Sequence, residues 1–190
     1  ADFIGFVFFP PSPRHIDIET AYKLSKKVPE GVSCVGLFVD PSDEELEEIL
    51  GVVQLDMLQL HGKETPERVR EIKERFKRPV MKAFSVSTAA DVVRAHTYVD
   101  VADWYVFDAK APANSDVPGG TGETFDWALL ALEEFDKPWM LSGGLSEENV
   151  GDALMMLEPE AVDVSSGVEA VRGEKDPAKI KAFLEAVKRI

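Results

Sequence analysis

Asp108 closes an apolar run, Trp104-Tyr105-Val106-Phe107, and opens a stretch rich in proline and glycine that ends at Phe125-Asp126-Trp127. A connection longer than about a dozen residues inside a compact domain is usually functional or disordered. One reading makes Asp108 the acid of an active site and the stretch its cover; the other makes it a turn aspartate before a linker. Two further segments, Ser142-Gly143-Gly144 and Ser165-Ser166-Gly167, follow the last two apolar runs of strand length. Small residues let backbone N–H groups approach an anion, and a helix N-terminus adds a favourable dipole. Gly143-Gly144 is expected to lead straight into such a helix, so both loops read as phosphate-binding, against the alternative of tight turns.

Arg14 carries a planar fork suited to a carboxylate. His61 either bonds a substrate or only closes its strand. Lys82 lies within an apolar run, so its charge needs a partner. That partner is either Asp108 or an anion, or else a carboxylate in a structural ion pair. Cys34 stands about six residues before Asp40 in one run, which places it roughly 20 Å from the strand end. It reads as a small buried hydrophobe rather than a nucleophile.

These residues need a scaffold that delivers them to one face. Apolar runs at 3–9, 33–39, 56–60, 79–84, 103–107, 137–141 and 161–164 suit strands buried on both faces. Helical patterns separate them. Asp17 is the expected cap of a helix from Ile18 to about Val28, with Ala21, Leu24 and Val28 on one face. Ser42-x-x-Glu45 is a capping box, and Thr65-Pro66 and Asp176-Pro177 place proline at the first helical position. Ser87 and Ser146 are expected to cap two more helices, and 125–132 is expected to be helical. The last helix should turn Ile180, Phe183, Leu184 and Val187 inward. Strict strand–helix alternation implies a parallel sheet with helices outside. An open doubly wound sheet and a closed (β/α)8 barrel both fit. A barrel needs eight strands, and the chain supplies seven β/α units in one domain, 1–190. In a barrel, sites form at the C-terminal strand ends and phosphate sites at the loops after the last two strands.

Composition narrows the partners. The chain has 190 residues and a formal net charge of -14. A field of that sign disfavours nucleic acid and anionic membranes. One cysteine permits no internal disulfide, which suits a reducing, cytoplasmic setting. The apolar opening lacks the marks of a signal peptide.

The stretches GFVFFPPSPRHI, LDMLQLHG, VFDAK, PGGTGETFDW, LSGGLSEENV and VDVSSGVE, with the later KDPAKIKAF, resemble phosphoribosylanthranilate isomerase of tryptophan biosynthesis. The resemblance runs through nearly the whole chain, in order. It implies an α/β fold, the TIM (β/α)8 barrel, and an Amadori rearrangement of an N-linked phosphoribose without metal or cofactor. The implied partner is a small phosphosugar, in a monomer or homodimer. On the reading of the residues themselves, His61 and Lys82 join Arg14 as candidate substrate-binding residues. By resemblance, Asp108 is the general acid and Arg14 lies near the anthranilate carboxylate. Gly143, Gly144, Ser165, Ser166 and Gly167 hold the phosphate, and Gly120-Thr121-Gly122 covers it. The family's Lys-x-Cys-Gly strand, whose cysteine is the general base, and the helix after it have no counterpart in these residues. The resemblance therefore implies a barrel with its first β/α unit missing, and the 190 residues alone are not expected to turn over. Two alternatives are a non-catalytic phosphosugar-binding barrel and an inactive fragment. Indole-glycerol-phosphate synthase, a neighbouring barrel enzyme, fits the quoted runs poorly.

Overall fold

The computed structural model describes residues 1–111, 115, 117, 119–120 and 122–189. Seven strands follow one another in chain order through one sheet, with β1 and β7 at the two ends of that order. The chain divides into two compact units, residues 1–83 with 100–103, and 84–99 with 104–190.

The first unit holds β1 (Phe3–Val7), α1 (Ile18–Ser25), β2 (Ser33–Phe38), α2 (Asp43–Leu50), β3 (Met57–Leu60), α3 (Pro66–Phe76) and the start of β4 (Val80–Val86). Its strands pair in parallel. The expected caps form: Asp17 accepts from Thr20 N, Ser42 and Glu45 make a full capping box, and Thr65 accepts from Arg68 N. Leu46 and Ile49 of α2 and Val69 and Ile72 of α3 are buried against the strands. Each such side chain contributes roughly 1.5–3 kcal/mol. Phe8 stacks on Phe38, centroids 5.3 Å apart. At the strand starts, Asp103 accepts from Val80 N at 2.9 Å and Lys73 Nζ at 2.7 Å. α1 differs from its sequence pattern: it ends at Ser25, and Leu24 is exposed while Ala21 is buried.

The second unit continues β4 and adds α4 (Ala89–Val93), β5 (Trp104–Ala109), β6 (Trp139–Leu141), α5 (Val150–Met156), β7 (Ala161–Val162), a short antiparallel hairpin of β8 (Glu169–Val171) and β9 (Glu174–Lys175), and α6 (Pro177–Val187). β5, β6 and β7 pair in parallel. An aromatic cluster fills the centre. Phe107 lies 5.7 Å from Phe84 and 4.7 Å from Phe135, with Tyr105 and Trp139 edge-on.

Three expectations change here. Residues 125–132 make only a 3-10 turn, Trp127–Leu129. Asp126 caps that turn, the rest of the stretch offers almost no polar face, and Phe135 just beyond it packs against Phe107 and Trp139 in the aromatic cluster. α4 is capped by Thr88, not Ser87, although both hydroxyls bond Asp91. α6 buries Phe183 fully but leaves Ile180 exposed, so its inward stripe is narrower than the spacing implies. No helix among the described residues is long and apolar enough to cross a membrane.

Candidate active site

In the second unit, Asp108 is the penultimate residue of β5 and is 4% exposed. Ser142 N donates to Phe107 O at 2.8 Å, which locks the end of β6 beside it. The Ser142 hydroxyl donates to Asp163 Oδ2 at 2.9 Å, just past β7. Gly143 follows with φ 91. A Cβ there would collide with the Ala109 backbone and stand 3.0 Å from Asp108 Oδ1. The glycine therefore lets the first small-residue loop lie directly against the acid.

The other glycines do the same between loops. Gly144 has φ 62, and a Cβ on it would meet the Glu123 carbonyl and Thr124. A Cβ on Gly167 would collide with Leu145 O, and one on Gly122 would lie 3.6 Å from Ser166 Oγ. The loop at 142–146 thus meets 123–124 at Gly144 and 165–168 at Gly167 through backbone contacts, and Gly122 lies beside the Ser166 side chain. Of the cover segment, Gly120 and Gly122 have positive φ, and Thr121 lies outside the described residues. The expectation that Gly143-Gly144 runs straight into a helix is corrected. Asn149 bonds back to Gly144 O and Ser146 N, closing a turn, and α5 begins at Val150 with Asn149 as its cap.

In the first unit, Arg14 is half-buried in the loop after β1, with its backbone N donating to Ser12 Oγ at 3.2 Å. Lys82 is 1% exposed. Its ammonium lies 3.0 Å from Glu64 Oε2, whose side chain is equally buried, and within 3.1 Å of the Leu60, Gly62 and Ala83 carbonyls. Glu64 also accepts from Asp40 N and Gly62 N, and Asp40 Oδ1 accepts from Lys63 N. The structural ion pair, one of the readings open for Lys82, is present. Asp40 takes φ 48, and a Cβ on Gly62 would run into its carboxylate.

His61 is buried beside this pair. Burial first, and the Lys82 charge second, lower its pKa from 6.5 to about 4. The unfolded chain takes up this proton near pH 6.5, whereas the native state resists it until about pH 4. Stability is therefore fully present above pH 6.5 and declines as the pH falls towards 4, by about 3 kcal/mol in all. Denaturant unfolding at pH 7 and pH 4.5 should show His61→Gln losing ~2 kcal/mol less than the unsubstituted protein. Equal losses would contradict this account of His61.

Cys34 is buried at the start of β2, where its N donates to Asp56 Oδ2 at 2.7 Å. Burial, then the Asp56 charge, pushes its thiol pKa up, which suits a structural residue.

The family model described as N-(5'phosphoribosyl)anthranilate (PRA) isomerase matches residues 1–186. The chain belongs to the N-(5'-phosphoribosyl)anthranilate isomerase family. The isomerase of Paramagnetospirillum magneticum is 50% identical over 188 residues, which cover 99% of this chain and 87% of that protein. The crystal structure of phosphoribosyl anthranilate isomerase from Thermotoga maritima superposes with a TM-score of 0.89 at 42% identity, covering 100% of this chain and 89% of that one. An isomerase solved with reduced 1-(o-carboxyphenylamino)-1-deoxyribulose 5-phosphate gives 0.85 at 38% identity, with the same coverage. The fold is the α/β TIM-barrel fold.

Within this isomerase chain, sequence reasoning passed over Glu64, Asp163 and Lys175. Glu64 and Asp163 read as ordinary loop acids, since nothing local marks a carboxylate whose partner is some 20 residues away. Lys175 Nζ lies 2.8 Å from Ser165 O and 3.1 Å from Ser165 Oγ, through a hairpin that no periodicity announced.

Proposed function

We propose that Asp108 is the general acid of the family's reaction in this chain and that the loops at Gly143-Gly144 and Ser165-Ser166-Gly167 hold the substrate phosphate. The reaction is the conversion of N-(5'-phosphoribosyl)anthranilate to 1-(2-carboxyphenylamino)-1-deoxyribulose 5-phosphate. Asp108 gives its proton to the ribose ring oxygen as the C1–O bond breaks, and the anilino nitrogen lone pair forms the C=N bond. A base then takes the C2 proton, and the enolamine tautomerises to the ketose. The carbon skeleton is unchanged and no outside oxidant or reductant enters, because C2 is oxidised as C1 is reduced; the ring opening and the tautomerisation are driven by proton transfers. The observation that carries the reading is the approach of Gly143 to the Asp108 carboxylate, which joins acid and phosphate loop in one place.

Arg14 is assigned to the anthranilate carboxylate because its fork matches that group; this assignment rests on the family match. Gly120 and Gly122 are assigned to the phosphate cover on the same ground. His61 is assigned a supporting place beside the Lys82–Glu64 pair.

Turnover of phosphoribosylanthranilate, measured with and without the family's Lys-x-Cys-Gly unit added ahead of Ala1, tests the function. Gly144→Val tests the phosphate loop. Its Cβ has no room and its φ suits glycine. Displacing one charge-assisted hydrogen bond of roughly 1.5–3 kcal/mol should raise KM about tenfold or more with kcat little changed. A lowered kcat at unchanged KM would remove the loop from the phosphate site.

A further inference from the structure

We propose that Lys175 is a positioning residue of the phosphate loop, acting through Ser165 rather than by its charge. This rests on the phosphate reading above. Lys175 lies on β9 and pairs with Glu169 on β8, so the hairpin returns the chain to the loop that precedes it. Its ammonium has three N–H donors. They match three oxygens: Ser165 O at 2.8 Å, Ser165 Oγ at 3.1 Å and Glu169 Oε1 at 3.0 Å. The Glu169 side chain is 4% exposed, whereas that of Lys175 is 41% exposed. Glu169 Oε2 accepts from Gly173 N at 3.1 Å, and the Glu169 carbonyl accepts from Lys179 Nζ at 2.8 Å. The buried carboxylate is therefore fixed from the turn of its own hairpin, and it aims the lysine.

Two consequences follow for Ser165. Its carbonyl is turned towards the lysine, which sets the peptide plane leading into Ser166 and hence the direction of the next N–H. Its hydroxyl accepts from the ammonium, so its own hydrogen remains available to donate to an anion. From the other side, Gly167 is seated against Leu145 O and Gly122 lies near Ser166. The loop is thus held between a glycine contact and a lysine strut. The ammonium's charge is matched by Glu169, so the pair adds little net field to a chain of charge -14. Geometry, not attraction, is what it supplies.

The test uses the 190-residue chain and inorganic phosphate, followed by amide NMR at Ser165, Ser166 and Gly167. Lys175→Met should weaken phosphate about tenfold, and Glu169→Gln, which leaves the lysine's charge in place, should weaken it several-fold. In a chain that turns over substrate, both should raise KM by similar factors and keep kcat within about twofold. A charge-only role predicts the opposite for Glu169→Gln, because removing a negative group would tighten phosphate; that result overturns the proposal. Equal phosphate affinity in Lys175→Met and the unsubstituted chain overturns it too, while leaving the phosphate reading intact. Absence of phosphate-dependent shifts in the unsubstituted chain removes the phosphate reading, and this inference with it. Lys175→Arg, which keeps charge and length, guards against misfolding of the methionine variant. Its planar fork cannot make the same three bonds, so weakened phosphate binding supports the proposal and unchanged binding overturns it.

Discussion

Asp108→Asn should lower kcat by roughly a hundred- to ten-thousand-fold, the usual contribution of a positioned general acid. The amide is close in size and shape, so the packing around Gly143 and Ala109 should survive. It cannot release a proton to the ribose ring oxygen. KM should stay within about tenfold, because the phosphate and carboxylate contacts are made by other residues. The measurement belongs in a chain that carries the Lys-x-Cys-Gly unit, so that the base step is intact. A variant that keeps more than half of the unsubstituted turnover removes Asp108 from the acid's role.

The second large effect is on stability. Lys82→Met should destabilise the protein by ~3–5 kcal/mol, the range for breaking a buried ion pair from one side. Both side chains are about 1% exposed, so solvent screens little of the interaction. The cost arises mostly from Glu64, which is left buried with its charge uncompensated. For a chain of this length such a loss lowers Tm by roughly 10 °C. Lys82→Met combined with Glu64→Leu should recover a good part of it. A double variant no better than the single one would place the cost in lost packing instead.

Much of this fold was legible in the chain because its signals are local. The caps at Asp17, Ser42, Thr65 and Asp176 each depend on a side chain and an amide two or three positions away, and each formed. The apolar runs found all seven strands of the parallel sheet, though not the β8–β9 hairpin, since a strand buried on both faces needs no partner to be recognised. Asp108 and the two small-residue loops stood out because they interrupt those runs. What stayed hidden depends on contacts distant in sequence. The Lys82–Glu64 pair is invisible until β3 and β4 are laid side by side. The 3-10 turn at Trp127–Leu129 follows from Phe135 joining a cluster built by Phe84, Phe107 and Trp139. Asn149 displaced the expected start of α5 through one side chain folding back on Gly144.

The meeting of Gly62 and Asp40 also bears on how this sequence can drift. A methyl group at position 62 would stand 2.5 Å from the Asp40 carboxylate and 2.6 Å from its backbone N. Shrinking residue 40 would relieve only the first clash. Residue 40 must also hold φ 48, a conformation that glycine and asparagine accept most readily. Position 62 therefore cannot wander alone: a side chain there is blocked until the chain at 40 has moved, and moving it gives up the bonds to Lys63 N and Glu64. The two sites form a lock in sequence space, where the accessible order of substitutions is set by a backbone contact rather than by either residue's chemistry.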